Sequence, residues 1–399
     1  MRHVRSPPYS PAFIPPQTKK NHPPAAQSPA AGAKSELLSL IQTMPEALHP
    51  PLTSLAHGGG CGCKIAPSIL QSIMSSVPAG IIPPALLVGT ESSDDAAVYQ
   101  INPTQALVAT TDFFTPIVDD PHHFGRIAAT NAISDVYAMG GTPLLALAIV
   151  GMPLDKLPAA TITRILQGGA EVCAQAGIPI AGGHSIDVQE PIYGLVVIGL
   201  VNPQNLKKNS AAQAGDVLIL GKPLGVGILS AALKKGQLSD ADYATMLHTT
   251  TQLNQVGSQL ATLAGVHAMT DVTGFGLGGH LLEICRGSRL SATVHWPQVP
   301  LLQAAATLAQ QGIATGASTR NWASYGHDIT LPADFAMWQQ KLLTDPQTSG
   351  GLLVSCQPQA AAQVLDMFQQ AGFAQAATIG HLQTGAPSLR VEISNLPSR

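Results

Sequence analysis

Charge is scarce in this chain: Asp, Glu, Lys and Arg make up only 11% of its 399 residues, and the formal net charge is −3. No long run of either sign occurs, which argues against a nucleic acid or an anionic membrane as partner. No stretch approaches the ~18–20 consecutive apolar residues of a membrane span. The N-terminus also lacks the continuous apolar core of a secretory signal, so the expected location is the cytoplasm. Cysteine is sparse too. Cys61, Cys63, Cys173, Cys285 and Cys356 are an odd number thinly spread, which excludes a disulfide framework and reads as reduced thiols. A phosphate-binding G-x-x-x-x-G-K-[ST] loop is missing; Gly221-Lys222-Pro223 fails at the last position, and a P-loop enzyme is set aside.

What is present suits a soluble two-domain enzyme: 45% hydrophobic residues with 38 glycines and 32 prolines, in a chain too long for one ordinary core. Residues 1–34 carry five basic and no acidic residues among closely spaced prolines. That density breaks the amphipathic helix of an organelle transit peptide and supplies little to bury, so residues 1–50 read as a disordered extension. Ser35 is placed to cap a short helix over 36–41. From about residue 85, strands and helices alternate. Strand 106–111 delivers Asp112 at its end, helix 124–139 is closed by Gly140 and Gly141, and strand 144–150, helix 159–176 and strand 193–201 follow. The polar, lysine-bearing segment 203–215 reads as a domain boundary, after which strand 216–221, helix 227–233 and strand 351–355 resume the pattern. The division is a first domain over 51–205 and a second over 206–399, an α/β or α+β pair.

The segment His57-Gly58-Gly59-Gly60-Cys61-Gly62-Cys63-Lys64 holds six glycines or cysteines in direct succession, so its backbone can fold closely over a ligand. Lys64 is expected to favour thiolate over thiol at its neighbours, or to grip a phosphate as a point charge. Half a zinc site and an incidental glycine loop are the alternatives. A structural zinc site wants paired Cys or His motifs, and no second pair is present.

Aspartates stand singly at turn-like positions in apolar surroundings: Asp94 and Asp95 before Ala96, Asp112 after a strand, Asp135 four residues beyond Asn131, and Asp271 in Met269-Thr270-Asp271-Val272-Thr273-Gly274. Any one of them alone reads as a cap or turn. Several together suit divalent cations bridging carboxylates to phosphates, because an unpaired carboxylate in such a setting is costly. Gly182-Gly183-His184-Ser185 follows an apolar run and reads first as a plain turn; the alternative is a strand end whose N–H groups meet phosphate.

Taken jointly, these stretches and the Asp345-Pro346-Gln347-Thr348-Ser349-Gly350-Gly351 segment resemble the selenophosphate synthetase (selenide, water dikinase) family, over roughly residues 53–392. That family sits within a wider aminoimidazole ribonucleotide synthetase-like group; the Cys-Gly-Cys-Lys element is its specific part. The resemblance implies a two-domain α/β and α+β fold whose N-terminal sheet pairs across a homodimer, with nucleotide sites near the interface. It implies that ATP, selenide and water yield selenophosphate, AMP and orthophosphate. By position it makes Cys61 and Lys64 catalytic and Asp95, Asp135 and Asp271 magnesium ligands. Lys64, Ser92, Ser93, Asp94, Asp112, Asp135, Gly183, His184 and Ser185 become nucleotide contacts, and a selenium-delivery protein becomes a possible partner. A thiol-free kinase of the same wider group, or a non-catalytic selenium- or metal-binding protein, is the competing reading.

Overall fold

The computed structural model describes residues 49–77, 80–90 and 93–394. Ser92 and the expected helix over 36–41 lie outside them. Thirteen strands form two sheets among the described residues. The first combines β1 (Leu86–Val88), β2 (Ala97–Asn102), β3 (Gln105–Phe114), β4 (Thr142–Met152), β5 (Ile180–Asp187) and β6 (Ile192–Val201) in the order β1-β2-β3-β6-β4-β5. The second combines β7 (Val217–Leu220), β8 (Val266–Asp271), β9 (Leu290–His295), β10 (Ile329–Thr330), β11 (Leu352–Cys356), β12 (Ala377–Thr384) and β13 (Ser388–Glu392) in the order β10-β13-β9-β12-β7-β11-β8.

Helix Pro121–Ala138 is the centrepiece. It begins three residues before the sequence reading because Asp120 caps it, accepting from His123 N at 2.8 Å, while Pro121 occupies the first turn where its missing N–H costs nothing. It ends as expected, with Gly140 at φ 77°. Helix Ala159–Gln175 packs against it backbone to backbone: a Cβ on Gly125 would lie 1.9 Å from Ile165 O, and one on Gly168 would lie 2.1 Å from His122 O. Nearly every residue of Pro121–Ala138 is buried, including the polar Asn131, Ser134 and Asp135. Polar groups carried into a core this way need partners, and those partners come from β3 and from loops of the chain's second half, Asn254 and Ser349 among them.

Two local expectations change. Strand β3 runs through Asp112 to Phe114, so Asp112 lies inside the strand on its buried side rather than at its end. Residues 182–185 belong to edge strand β5 rather than to a turn. Two glycines mislead here because they serve a bulge: Ile180 pairs with Ala146 and Gly183 with Ala148. A Cβ on Gly183 would meet Ala148 O at 2.1 Å, so the neighbouring strand requires glycine.

Candidate active site

Asp95 stands just before β2, Asp135 near the end of the buried helix, and Asp271 at the last position of β8. The fold brings one carboxylate oxygen of each within 4.8 Å of the others. Thr110 donates its hydroxyl to Asp135, and Thr270 donates to Asp95 Oδ1 at 2.8 Å, so one threonine from each sheet fixes the cluster. Burial raises the pKa of all three carboxyls above the usual range, and repulsion from neighbouring aspartates adds to this at Asp95 and Asp135. Asp271 is 1% exposed and its Oδ2 has no hydrogen-bond partner. A buried, unpartnered carboxylate oxygen among like charges is the arrangement a hard divalent cation relieves, and an oxygen-only donor set fits magnesium.

Directly beside the cluster, Asn131 joins four segments through one amide. Its Nδ2 donates to Asp112, and its Oδ1 accepts from Cys61 Sγ at 3.2 Å and from Ser349 N at 2.7 Å. Cys61 also donates its backbone N–H to Thr348 Oγ1 at 3.1 Å, and Gly60 N donates to Thr115 O at 2.8 Å. Lys64 Nζ lies 3.9 Å from Asp112. The thiol segment, a short 3-10 turn over Gly60–Cys63, is thus seated on the carboxylates, with Gly60 at φ 55° and no room for a Cβ against Thr348.

Charge at the thiol runs against the sequence expectation. Lys64 does not lower the Cys61 pKa on balance; burial, followed by the Asp112 carboxylate, pushes it well above the ordinary thiol value. The lysine's charge is engaged instead with Asp112, which raises the lysine's own pKa. Cys63, half-buried with Sγ 2.8 Å from Thr115 Oγ1, is raised as well, again by burial. Iodoacetamide at pH 7 on the ligand-free protein is therefore expected to alkylate Cys63 at least about tenfold faster than Cys61, followed by peptide mass spectrometry. Equal rates would mean that Cys61 is neither sheltered nor held as the thiol.

Of the residues singled out from sequence, Cys61, Lys64, Asp95, Asp112, Asp135 and Asp271 come together. Asp94 and Ser93, next to Asp95 in the chain, are engaged instead with the turn Asn209–Ala211: Asp94 Oδ1 accepts from Asn209 N at 2.6 Å, and Ser93 O accepts from Asn209 Nδ2 at 2.9 Å. Gly183, His184 and Ser185 sit on the exposed edge strand, without a hydrogen bond or ion pair to the cluster among the described residues. Sequence reasoning did not assign roles to Thr110, Thr270, Thr348 and Ser349, and saw Asn131 only as sharing a helical face with Asp135. Ser349 carries a second signal, a φ of 54° that a serine rarely adopts. It is legible only in the fold.

Residues 93–201 match the AIR synthase related protein, N-terminal domain, and residues 213–392 the AIR synthase related protein, C-terminal domain. The selenide, water dikinase of Dechloromonas aromatica (strain RCB) is 65% identical over 340 residues, covering 85% of this chain and 98% of its own length. That of Rhizobium meliloti (strain 1021) is 57% identical over 344 residues, covering 86% and 99%. Among solved structures, a thiamine-monophosphate kinase from Stenotrophomonas maltophilia K279a gives a TM-score of 0.58 at 19% identity, over 77% of this chain and 92% of that one. Hydrogenase maturation protein HypE in complex with ATP gives 0.58 at 19%, over 78% and 87%. At those identities the structural likeness speaks for the fold alone, whereas the sequence relatives match almost end to end. The chain belongs to the selenide, water dikinase family, on the two-domain AIR synthase-related fold.

Proposed function

We propose that this chain converts ATP, selenide and water to selenophosphate, AMP and orthophosphate, supplying activated selenium for selenocysteine and selenium-modified tRNA. The observation that carries the reading is the convergence of Asp95, Asp135 and Asp271 within 4.8 Å under a seated Cys-Gly-Cys-Lys turn. These three carboxylates would hold magnesium, whose charge offsets that of a triphosphate and polarises the transferred phosphoryl groups. Lys64 adds a cation 3.9 Å from Asp112, on the side where the nucleotide would lie. Ser92, Ser93, Asp94, Asp112, Asp135 and residues 183–185 are the proposed nucleotide contacts. Burial is the main reason Cys61 is held as the thiol; cations on the carboxylates would remove the repulsion from Asp112 and Asp271 that adds to it, so the charge that binds nucleotide also favours the sulfur's ionised form. The seated turn keeps bulk water from an activated phosphate.

The same reading divides the chain into an extension over 1–50, a nucleotide-binding domain over 51–205 and a partner domain over 206–399, and places it in the cytoplasm. A homodimer is its proposed assembly. Edge strand β5 is open, and Tyr99, Ile101, Phe113, Leu144 and Ile186 of the first sheet are 46–58% exposed, which suits a second copy of that sheet. A selenium-delivery protein is the proposed further partner.

Comparing Cys61→Ala with Asp95→Ala tests the assignment, with products followed by phosphorus NMR under reducing, anaerobic conditions. Asp95→Ala is expected to lose AMP formation at least about 100-fold with or without selenide, and Cys61→Ala to lose the selenide-dependent part by a similar factor. Full activity in the Asp95 variant would remove the metal assignment; full activity in the Cys61 variant would reduce the thiol to a structural part.

A further inference from the structure

The thiol turn has a second side. Its glycines Gly58, Gly59 and Gly62 form one wall of a cavity of about 290 Å³ that none of the clustered carboxylates lines and that helices Val226–Lys234 and Gly316–Tyr325 flank. That is at the lower edge of the ~300–1,000 Å³ of pockets for drug-sized ligands, and it has room for an inorganic ion with its water. His57, Lys234, Lys235 and Arg320 line it, and no carboxylate does. Glu190 answers His57 at 2.8 Å. Arg320 Nη2 donates to Gly62 O at 2.9 Å and Lys234 Nζ to Ala56 O at 2.8 Å, so both cations also hold the wall in place. The Lys235 side chain makes no hydrogen bond or ion pair among the described residues, its backbone N–H alone being used, on Ala232 O at 3.1 Å, so its charge is uncommitted. Gly316 and Ala317, in the first turn of their helix, add N–H groups at its positive end. Asp345, behind Gly227, is engaged by Ile228 N at 3.2 Å and Gln347 Nε2 at 3.1 Å.

Resting on the selenide reading above, we propose that this basic cavity is a small-anion site that receives the selenium substrate as hydroselenide before it reaches Cys61. Hydrogen selenide is a stronger acid than a thiol, so its neutral-pH form is a monoanion. Approach from the carboxylate side meets Asp95, Asp112, Asp135 and Asp271 or, once these hold magnesium, the bound triphosphate, and either presents negative charge to it. The cavity draws it in, and Gly58, Gly59 and Gly62 of the turn that bears Cys61, with Thr348 bonded to Cys61 N at 3.1 Å, belong to its lining. Orthophosphate, a product of the same reaction, shares the anion chemistry and is the rival occupant.

The test uses the full chain, anaerobically, with initial rates of AMP formation against selenide at saturating ATP and against ATP at saturating selenide. Lys235→Gln is expected to raise the KM for selenide about threefold, and the Lys234→Gln, Lys235→Gln double variant about tenfold. The KM for ATP stays within about twofold, and the difference from the parent shrinks at high salt. Arg320→Lys, which keeps the charge, is expected to be milder than Arg320→Gln. An unchanged selenide KM in the double variant overturns the proposal. So does an equal rise in both KM values, which would assign the charges to the triphosphate, or weaker inhibition by added orthophosphate with selenide KM unmoved, which would make the cavity a product site. Lys235→Gln guards against misfolding in the double variant, because its side chain holds nothing in place. A parent chain with no selenide-dependent AMP would instead sink the reaction itself, an outcome separable from an active parent with indifferent variants.

Discussion

Asp271→Asn is expected to lower ATP turnover on the order of 10³-fold while leaving the magnesium-free protein as stable as its parent or more so. The two effects have one cause. Asp271 is 1% exposed, its Oδ2 lacks a partner, and oxygens of Asp95 and Asp135 lie within 4.8 Å. Without a cation such a group carries a desolvation penalty of several kcal/mol and repels its neighbours; a neutral amide of the same shape escapes both. With magnesium at about 100 times its Kd, the parent gains about 2.7 kcal/mol that the variant forgoes. Thermal melts with EDTA and then with magnesium read this directly, alongside the activity assay. The pH dependence has a definite sign. Burial raises the folded-state pKa of all three carboxyls, so the folded chain holds protons that the unfolded chain has released. Their favourable contribution is complete below the unfolded carboxylate range and is lost as pH rises through the elevated folded values. Chelated parent should therefore melt lower as pH climbs, and Asp271→Asn should flatten that slope. A variant that melts well below the parent in EDTA would show that Asp271 is a structural acid rather than a cation ligand.

The aspartates and the thiol turn were legible from sequence because each is a polar or small element in an apolar run, which has few structural uses. The alternation of strands and helices was legible too, from apolar runs punctuated by glycine. What escaped was whatever depends on a neighbour distant in sequence. Asp112 looked like a strand terminus because the run 106–111 ends there, yet β3 continues since β6 pairs with it as far as Phe114. The glycine pair 182–183 looked like a turn because nothing local reveals that Ala148 O lies where a Cβ would go. The lysine beside the cysteines suggested an activated thiolate. Burial and Asp112, neither visible beside Cys61 in the chain, reverse that sign. Thr348 and Ser349 reach the site from nearly 290 and 220 residues away along the chain, contacts of Cys61 N and Asn131 Oδ1 respectively, and no spacing rule connects them.

The largest consequence of those distant contacts falls on Asn131. It is 0% exposed, and its amide satisfies Asp112, the Cys61 thiol and the Ser349 N–H together. Asn131→Ala strands a buried N–H and takes a donor from a buried carboxylate. At about 1–3 kcal/mol for each unmet buried group, the expected loss of stability is ~3 kcal/mol, readable by denaturant titration. Activity should fall about 100-fold, because the thiol and the backbone at Ser349 lose their common anchor. Asn131→Asp separates geometry from charge. It keeps the size and the acceptor for Ser349 and Cys61, but replaces the donor to Asp112 with a second carboxylate. Two such oxygens in contact share a proton when one is available, so one of the pair titrates high in the folded state. The Asp variant should accordingly gain stability and part of its activity as pH falls from 8 toward 6, whereas Asn131→Ala should respond to pH as the parent does. Identical pH profiles for the two variants would mean that the Asn131 to Asp112 contact carries no weight, and that Asn131 serves only to fill its place in the helix.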